Sequence, residues 1–330
     1  MRLEDSQGYV LYKLPTDPNF FLRQGDWKIL DKQKKGFIVQ GFNDLDTLII
    51  ENEKKVITSP LSIPFPSKKN TSQNLSKQEY IKQVNLFIDA CKHDLDKVIL
   101  SRLININAKE DINLFDVFEA LANQHTNTLV YLYNIPNLGM WMGATPETLI
   151  YADQFSSKTM ALAGSLPITN KNINWGNKEI QEHQFVIDDI TLKLKNNSYT
   201  HQVKETQTTK AGEVAHLKTL IKIDSGIEEI KKIADILHPT SAICGMPQEK
   251  AKQFILKEES HDREFYTGYL GELDNQTNSW LFVNLRCMQI YHHSFKIYVG
   301  GGITKDSIAE KEWDETQLKS RTLLSVIEKM

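Results

Sequence analysis

Strand segments separated by almost no intervening chain are the feature that most limits the possible folds of this 330-residue protein. Three such segments follow one another near the end of the sequence, over 279–286, 287–292 and 294–299. Connections this short can join antiparallel neighbours, whereas parallel neighbours need a crossover of about a dozen residues or more. The segments therefore predict antiparallel sheets and argue against repeated strand–helix–strand units.

Apolar spacing predicts the elements around these strands. Residues 97–106, KVILSRLINI, are β-branched and almost continuously apolar, which makes them the strongest strand signal in the chain. Stripes of apolar residues three and four apart predict helices over 76–94, 114–123, 175–196, 226–237, 248–259 and 307–328. The residues expected to face inward from the third of these helices are Ile180, Phe185 or Val186, and Ile190. We interpret the whole chain, 1–330, as a single α+β domain.

Composition and charge exclude several classes of protein. With 40% apolar and 25% charged residues the chain resembles an ordinary globular protein, and its formal charge of −3 shows no basic excess for nucleic acid. No apolar run is long enough to span a bilayer, and Glu4 and Asp5 argue against a signal peptide. Three widely separated cysteines, Cys91, Cys244 and Cys287, predict a reducing compartment. We expect a cytoplasmic protein with no nucleic-acid or membrane partner.

Two pairs of glutamates with helical spacing predict a metal site. The pairs are Glu179 with Glu182, and Glu312 with Glu315. Residues three or four apart lie on one helix face, so Lys319 shares the face of the second pair. If the two faces met, their carboxylates would repel one another unless a cation lay between them, and oxygen ligands suit Mg²⁺. Two separate solvated faces would show the same spacing.

Lys97 and Glu147 each stand beside a predicted strand, where acid–base chemistry can be arranged. Lys97 opens the strand over 97–106, and a lysine buried there would give up its proton more readily and could act as a base. Glu147 follows the apolar run MWMGATP, which could keep its carboxyl protonated as a general acid. The alternatives are a solvated strand-end charge for Lys97 and a turn or helix-start glutamate for Glu147.

Three segments could hold an anionic ligand. His238 precedes Pro239 and a run of small residues in LHPTSAICG, and Arg286 ends the apolar strand SWLFVNLR. The three glycines of YVGGG leave a strand just before a helix, so their backbone N–H groups could cradle an anion. The glycines match neither a phosphate-binding loop nor a dinucleotide fingerprint. The remaining histidines have no metal-ligand spacing and are interpreted as surface or packing residues: His93, His125, His201, His216, His261, His292 and His293.

Nine motifs taken in order resemble the chorismate-utilising enzymes, and among them most closely the isochorismate synthases. The motifs are KVILSR, GATPETL, ALAGS, KEIQEH, LHPTSAICGMP, REFYTGYLGE, LFVNLR, YVGGGI and EWDETQLK. The resemblance implies an α+β fold of two large, mostly antiparallel β-sheets packed as a sandwich, flanked by helices, with the site between the sheets. It covers a catalytic core over 75–325, whereas 1–74 forms a divergent amino-terminal region of strands and a loop.

The resemblance also implies roles for individual residues. Glu182 and Glu315 match the Mg²⁺ ligands, and Glu179 and Glu312 match acids that hold metal-bound water. Substrate-binding positions are matched by Gly164, Ser165, His238, Ala242, Ile243, Tyr266, Arg286, Tyr298, Gly300, Gly301, Gly302 and Lys319.

Two positions imply which reaction is catalysed. Family members that add water at ring carbon C2 carry a lysine at the position of Lys97, whereas anthranilate synthases carry glutamine there. Aminodeoxychorismate synthases carry a nucleophilic lysine at the position of Ala163. The resemblance therefore implies that chorismate is converted to isochorismate, with Lys97 as the base for water and Glu147 as the acid for the departing C4 hydroxyl.

Other functions remain open at the level of sequence. A salicylate synthase would share the motifs and go on to eliminate pyruvate, while a non-catalytic chorismate- or metal-binding protein would not need both Lys97 and Glu147. A Mg²⁺-dependent phosphotransferase would need a nucleotide loop that the chain lacks. We expect chorismate as the substrate, Mg²⁺ as the cofactor, no glutamine amidotransferase subunit, and a monomer or homodimer. Menaquinone biosynthesis is the favoured pathway, with siderophore biosynthesis as the alternative.

Overall fold

A computed structural model describes residues 1–31, 34–43, 45–109, 111–168, 173–211, 214–274 and 276–330. Over these residues the chain forms nineteen strands and six α-helices. The strands are β1 (Tyr9–Lys13), β2 (Phe20–Gln24), β3 (Lys28–Ile29), β4 (Gly36–Gln40), β5 (Leu48–Ile50), β6 (Lys55–Ile57), β7 (Lys97–Asn107), β8 (Leu129–Ile135), β9 (Gly139–Thr145), β10 (Thr148–Ala152), β11 (Ser157–Pro167), β12 (His201–Val203), β13 (Gln207–Ala211), β14 (Val214–Ile223), β15 (Gly245–Met246), β16 (Tyr269–Leu273), β17 (Ser279–Val283), β18 (Cys287–Tyr291) and β19 (Ser294–Ile303). The helices are α1 (Lys77–His93), α2 (Leu114–Gln124), α3 (Asn177–Asn196), α4 (Ile230–Leu237, preceded by a 3₁₀ turn at Ile227–Glu229), α5 (Gln248–Glu258) and α6 (Ala309–Ile327).

The strands form two large sheets in which the named strands pair antiparallel. The first sheet has the order β15-β7-β19-β18-β9-β8-β1-β2-β6. The second has the order β12-β14-β11-β10-β17-β16-β4-β5-β3, with β13 also paired to β14. The predicted hairpin of β18 and β19 is confirmed. The short link between β17 and β18 is instead a crossing from one sheet to the other, so the expectation of three successive paired strands was wrong there.

The two sheets pack face to face, and helices cover their outer faces. Alternate residues of β1, Val10 and Tyr12, join Phe37 and Val39 of β4 in the apolar layer between the sheets. Helices α2 and α6 cover the other face of the first sheet, and α3 and α4 cover that of the second. The predicted α+β sandwich of two large antiparallel sheets is therefore confirmed.

The apolar stripe of α3 departs from the prediction at one end. Val186 and Ile190 are buried against the second sheet, and Phe185 is 52% exposed. Ile180 was expected to face inward, but its side chain is 50% exposed in the first turn of the helix. Periodicity predicts the direction of a side chain, whereas burial also needs a neighbour that reaches that turn.

Two chain crossings between the sheets lie side by side. Residues 145–148 lead from β9 in the first sheet to β10 in the second, and residues 283–287 lead back from β17 to β18. The N–H of Val283 donates to the carbonyl of Glu147 at 2.9 Å, and the N–H of Ala144 donates to the carbonyl of Arg286 at 3.1 Å. These hydrogen bonds bring Glu147 and Arg286 to the same edge of the sandwich.

No helix within the described ranges is long and apolar enough to cross a membrane.

Candidate active site

Lys97 points from the start of β7 toward α3. The backbone of β7 is paired with β19 on one side and with β15 on the other. The Nζ atom of Lys97 lies 2.7 Å from Oε1 of Glu182, and the lysine side chain is 12% exposed. A Cβ atom at Gly302 would lie 2.7 Å from Cε of Lys97, so the glycine leaves room for this side chain. Lys97 is thus an interior ion-pair partner of α3, not a solvated charge at a strand end.

Glu147 lies in the first crossing, and its carboxyl has a raised pKa. Its side chain is half-buried. Burial raises the pKa of Glu147 to about 7, against the lowering effect of nearby Arg286, Lys97 and Lys319. A carboxyl with this pKa can donate a proton at neutral pH, which is the property that a general acid needs.

Arg286 occupies the second crossing in an unusual backbone conformation. Its φ angle is 49°, in the left-handed region that costs a non-glycine residue about 1–2 kcal/mol. Burial lowers the pKa of Arg286, and the neighbouring Tyr266, Glu147 and Glu315 act in the opposite direction. The turn therefore places a half-buried guanidinium between the acid Glu147 and helix α6, where it can bind a carboxylate.

Helix α6 contributes a second ion pair to the same cluster. Nζ of Lys319 lies 2.5 Å from Oε1 of Glu315 and also donates to the carbonyl of Gly300 at 2.9 Å. The Lys319 ammonium holds the pKa of Glu315 below its usual value, with smaller contributions from Arg286 and Lys97. Basic and acidic groups from β7, α3, α6 and both crossings therefore form one charged cluster, which consists of Lys97, Glu147, Glu182, Arg286, Glu315 and Lys319.

The three glycines of β19 border this cluster from inside the sheet. They were expected to follow the strand, but β19 continues through them and pairs them with β7, so that expectation was wrong. A Cβ atom at Gly301 would lie 3.4 Å from Oε2 of Glu312 and 3.5 Å from Oε1 of Glu315. A Cβ atom at Gly300 would lie 3.0 Å from Oη of Tyr266. Because glycine has no side chain, α6 and Tyr266 can approach the strand closely.

Gly164 and Glu179 meet where β11 bulges beside the start of α3. The pairing of β11 with β14 shifts between Ala163 and Ser165, and Gly164 has a φ angle of 68°. A Cβ atom there would lie 3.2 Å from the carbonyl oxygen of Glu179. Oε2 of Glu179 accepts a hydrogen bond from the N–H of Gly176 at 3.1 Å and so caps its own helix.

His216 is a member of the site that the sequence analysis missed. The half-buried imidazole lies on β14 opposite the bulge, close to the carbonyl of Gly164. Burial lowers its pKa, and Arg286 and Lys319 lower it further. Sequence reasoning assigned His216 to the surface or to packing because it has no metal-ligand spacing, and the strand β14 that carries it was not predicted. A strand predicted over 214–223 and paired with the ALAGS segment would have indicated that His216 lies at the site.

Other predicted substrate positions make contacts of their own outside the charged cluster. Burial lowers the pKa of His238 to about 4, and its Nε2–H donates to the carbonyl of Thr267 at 2.8 Å. The hydroxyl of Tyr298 donates to Glu264 at 3.2 Å, while its ring stacks on Tyr266 with centroids 5.3 Å apart. In the loop between α4 and β15, Ile243 is buried and Ala242 is half-buried. The side chain of Ser165 lies outside the described residues.

The acidic side chains fit Mg²⁺ in chemistry. The carboxylates of Glu312 and Glu315 both approach Gly301. Lys97 forms an ion pair with Glu182 and also lowers the pKa of Glu315. All of these donors are oxygens, as Mg²⁺ prefers. Across the described part of the chain, no three His, Cys, Asp or Glu side chains form a ready-made group for a metal. The two lysines neutralise the carboxylates that a cation would otherwise neutralise.

The high pKa of Glu147 predicts a pH-dependent stability. Because this pKa is about 7 in the folded state and 4.5 for an ordinary glutamate, its contribution to stability is complete below about pH 4.5 and is lost as the pH rises through 7. The loss is about 3 kcal/mol. We therefore expect Glu147→Gln to gain stability relative to the wild type between pH 5 and pH 8.5 in urea unfolding. A constant difference between the two proteins across this range would contradict the assignment.

The model of a family described as chorismate binding enzyme matches residues 37–328. This protein therefore belongs to the chorismate-binding enzyme family.

Named relatives within the family are isochorismate synthases. The vibriobactin-specific isochorismate synthase of Vibrio cholerae is 29% identical over 266 residues, which are 76% of this chain and 67% of that enzyme. The isochorismate synthase MenF of Haemophilus influenzae is 24% identical over 315 residues, 90% of this chain and 73% of the relative. The solved structure of the menaquinone-specific isochorismate synthase from Escherichia coli superposes with a TM-score of 0.82 at 20% identity, covering 98% of this chain and 89% of that one. This last likeness shows that the two proteins share a fold.

Proposed function

We propose that this protein is an isochorismate synthase, which converts chorismate to isochorismate by adding water at C2 and expelling the C4 hydroxyl. The family membership and the two isochorismate synthase relatives support the reaction class. The observation that carries the proposal is the pairing of Lys97 and Glu147 in one cluster, where the pKa of Glu147 is about 7. Displacement of this kind needs a group that accepts a proton from water and a group that donates one to the leaving hydroxyl.

The roles of the cluster follow from its charges. Arg286 and Lys319 would bind the two carboxylates of chorismate, with the amides of β19 and Tyr266 beside them. Lys97 would accept the proton of the attacking water, and Glu147 would protonate the hydroxyl that leaves. The Lys97 ammonium is paired with Glu182, so base function requires that this pair opens. Glu182 is also one of the residues that would hold Mg²⁺.

Mg²⁺ is the cofactor proposed for this site. Glu182 and Glu315 would hold it directly, and Glu179 and Glu312 would hold its water. When bound, the ion would stabilise negative charge on the ring carboxylate of the substrate. We expect the product to enter menaquinone biosynthesis, with siderophore biosynthesis as the alternative.

The proposed function is tested by incubating the purified protein with chorismate and Mg²⁺ and separating the products by liquid chromatography. We expect isochorismate without pyruvate, and complete loss of product when EDTA removes the metal. Restoring Mg²⁺ should restore the product, which serves as the control for damage by EDTA. Salicylate together with pyruvate would move the protein to the salicylate synthases, and unchanged chorismate would refute the proposal.

A further inference from the structure

A second buried ion pair, Glu259 with Arg263, lies outside the charged cluster. Both side chains are 2% exposed. Nε of Arg263 donates to Oε2 of Glu259 and Nη2 donates to Oε1, each at 2.7 Å. Burying such a pair often contributes little net stability compared with apolar residues of similar size. Its value therefore depends on the other groups that the pair holds.

Every N–H group of the Arg263 guanidinium has an acceptor. Apart from the two that bind Glu259, Nη2 donates to the carbonyl of Ile99 at 2.9 Å and Nη1 donates to the carbonyl of Ile243 at 2.9 Å. Nη1 also donates to Oγ1 of Thr267 at 3.3 Å. A guanidinium has five N–H groups, and all five are used here.

The pair takes the place of a neighbouring strand along the edge of β7. The two-residue strand β15 pairs only with Lys97 and Val98, and the N–H of Ile99 still reaches the carbonyl of Cys244. Further along β7, side chains bind the backbone groups of this edge. Arg263 binds the carbonyl of Ile99, and Glu259 accepts the N–H of Ser101 at 2.7 Å. The edge groups that another strand would satisfy are thus bound by this ion pair.

Three parts of the active site are joined through this pair. Ile99 lies two residues after Lys97 on β7, and Ile243 lies in the loop over 238–245. The N–H of Tyr266 donates to the carbonyl of Arg263 at 2.7 Å. The guanidinium of Arg263 therefore ties the strand of Lys97 to the loop of Ile243, and the backbone carbonyl of Arg263 holds the turn of Tyr266.

We propose that Arg263 is a positioning residue for the reaction: it holds Lys97 in place within the charged cluster and does not itself touch the substrate. The proposal rests on the proposed function. A misplacement of about 1 Å in a reacting group can cost on the order of 100-fold in rate, so a tether of this kind has a large effect on turnover.

The test is the variant Arg263→Lys, which keeps the charge but replaces the planar fork of five N–H donors with three donors on one atom. We expect kcat to fall by about 10- to 100-fold while KM for chorismate changes by less than about threefold. Hydrogen exchange followed by mass spectrometry should show faster exchange in both 97–101 and 238–245. If Arg263 only added stability, its replacement would lower the unfolding midpoint and leave the kcat of the folded molecules unchanged.

Arg23→Lys supplies a matched control. Arg23 forms the other fully buried arginine–glutamate pair of this kind in the described chain, with Glu272, at 2% and 5% exposure, and its Nη1 donates to the carbonyl of Asn52 at 2.6 Å. It is not part of the charged cluster. We expect this variant to lose stability while kcat and the exchange of 97–101 stay as in the wild type.

The outcomes separate the two proposals. Wild-type kcat in Arg263→Lys, unchanged exchange in either segment, or an equal loss of kcat in Arg23→Lys would overturn the positioning role. A wild-type protein that leaves chorismate unchanged would refute the proposed function. In that event the exchange comparison still decides whether Arg263 joins the two segments.

Discussion

Lys97→Ala is expected to lower kcat for isochorismate formation by about 10²- to 10⁴-fold while the protein still binds chorismate. The variant removes the group proposed to accept the proton of the attacking water. It leaves Arg286 and Lys319, which are proposed to bind the substrate carboxylates. Steady-state kinetics at saturating chorismate and Mg²⁺ would measure kcat, and calorimetry with chorismate would measure binding.

Lys296→Ala is the control for this variant. Lys296 is 9% exposed and pairs with a half-buried carboxylate, Glu264, at 3.1 Å, much as Lys97 is 12% exposed and pairs with Glu182 at 2.7 Å. We expect the control to keep near-normal kcat. If Lys97→Ala also turned over at a near-normal rate, Lys97 would not be the base.

Glu147→Gln is expected to lower kcat by about 10²- to 10⁴-fold because the amide cannot donate a proton to the leaving hydroxyl. The wild type should also lose activity as the pH rises through about 7, where burial has placed the pKa of this carboxyl. The direction follows from the role, since the acid must be protonated before it donates. Rate profiles from pH 5.5 to 9 would measure both effects.

Glu147→Asp separates the proton from the shape of the side chain. It keeps a carboxyl on a shorter side chain, so we expect an intermediate kcat that still declines at high pH. Glu147→Gln should lose that decline. A Gln variant with the alkaline limb of the wild type would show that the limb belongs to another group.

Local patterns in the sequence were sufficient for much of the framework. The β-branched run that begins at Lys97 forms β7, and the helix expected over 307–328 is α6, Ala309–Ile327. The spacing of Glu315 and Lys319 also predicted their ion pair, because residues four apart meet on a helix whatever lies around it. These features depend on neighbours in the chain.

Features that depend on distant contacts were missed or misjudged. The segment after Glu147 was compatible with the start of a helix, yet it forms β10, which pairs with β17. The strand β14, Val214–Ile223, was not predicted, although it pairs with β11 and carries His216 into the site. Strand preference is decided by the partner across the sheet more than by the residue itself.

The sequence by itself determined which chemical groups this protein has and which of them lie on one face of a helix or at one end of a strand. Only the tertiary structure decided that Lys97 meets Glu182, since the two are 85 residues apart and lie on different elements. It also decided that Glu147 and Arg286 come together, through hydrogen bonds between two crossings of the sheets. The physical reason is that side-chain direction follows from local backbone geometry, whereas burial, pKa and long-range contacts depend on how the two sheets and their helices pack.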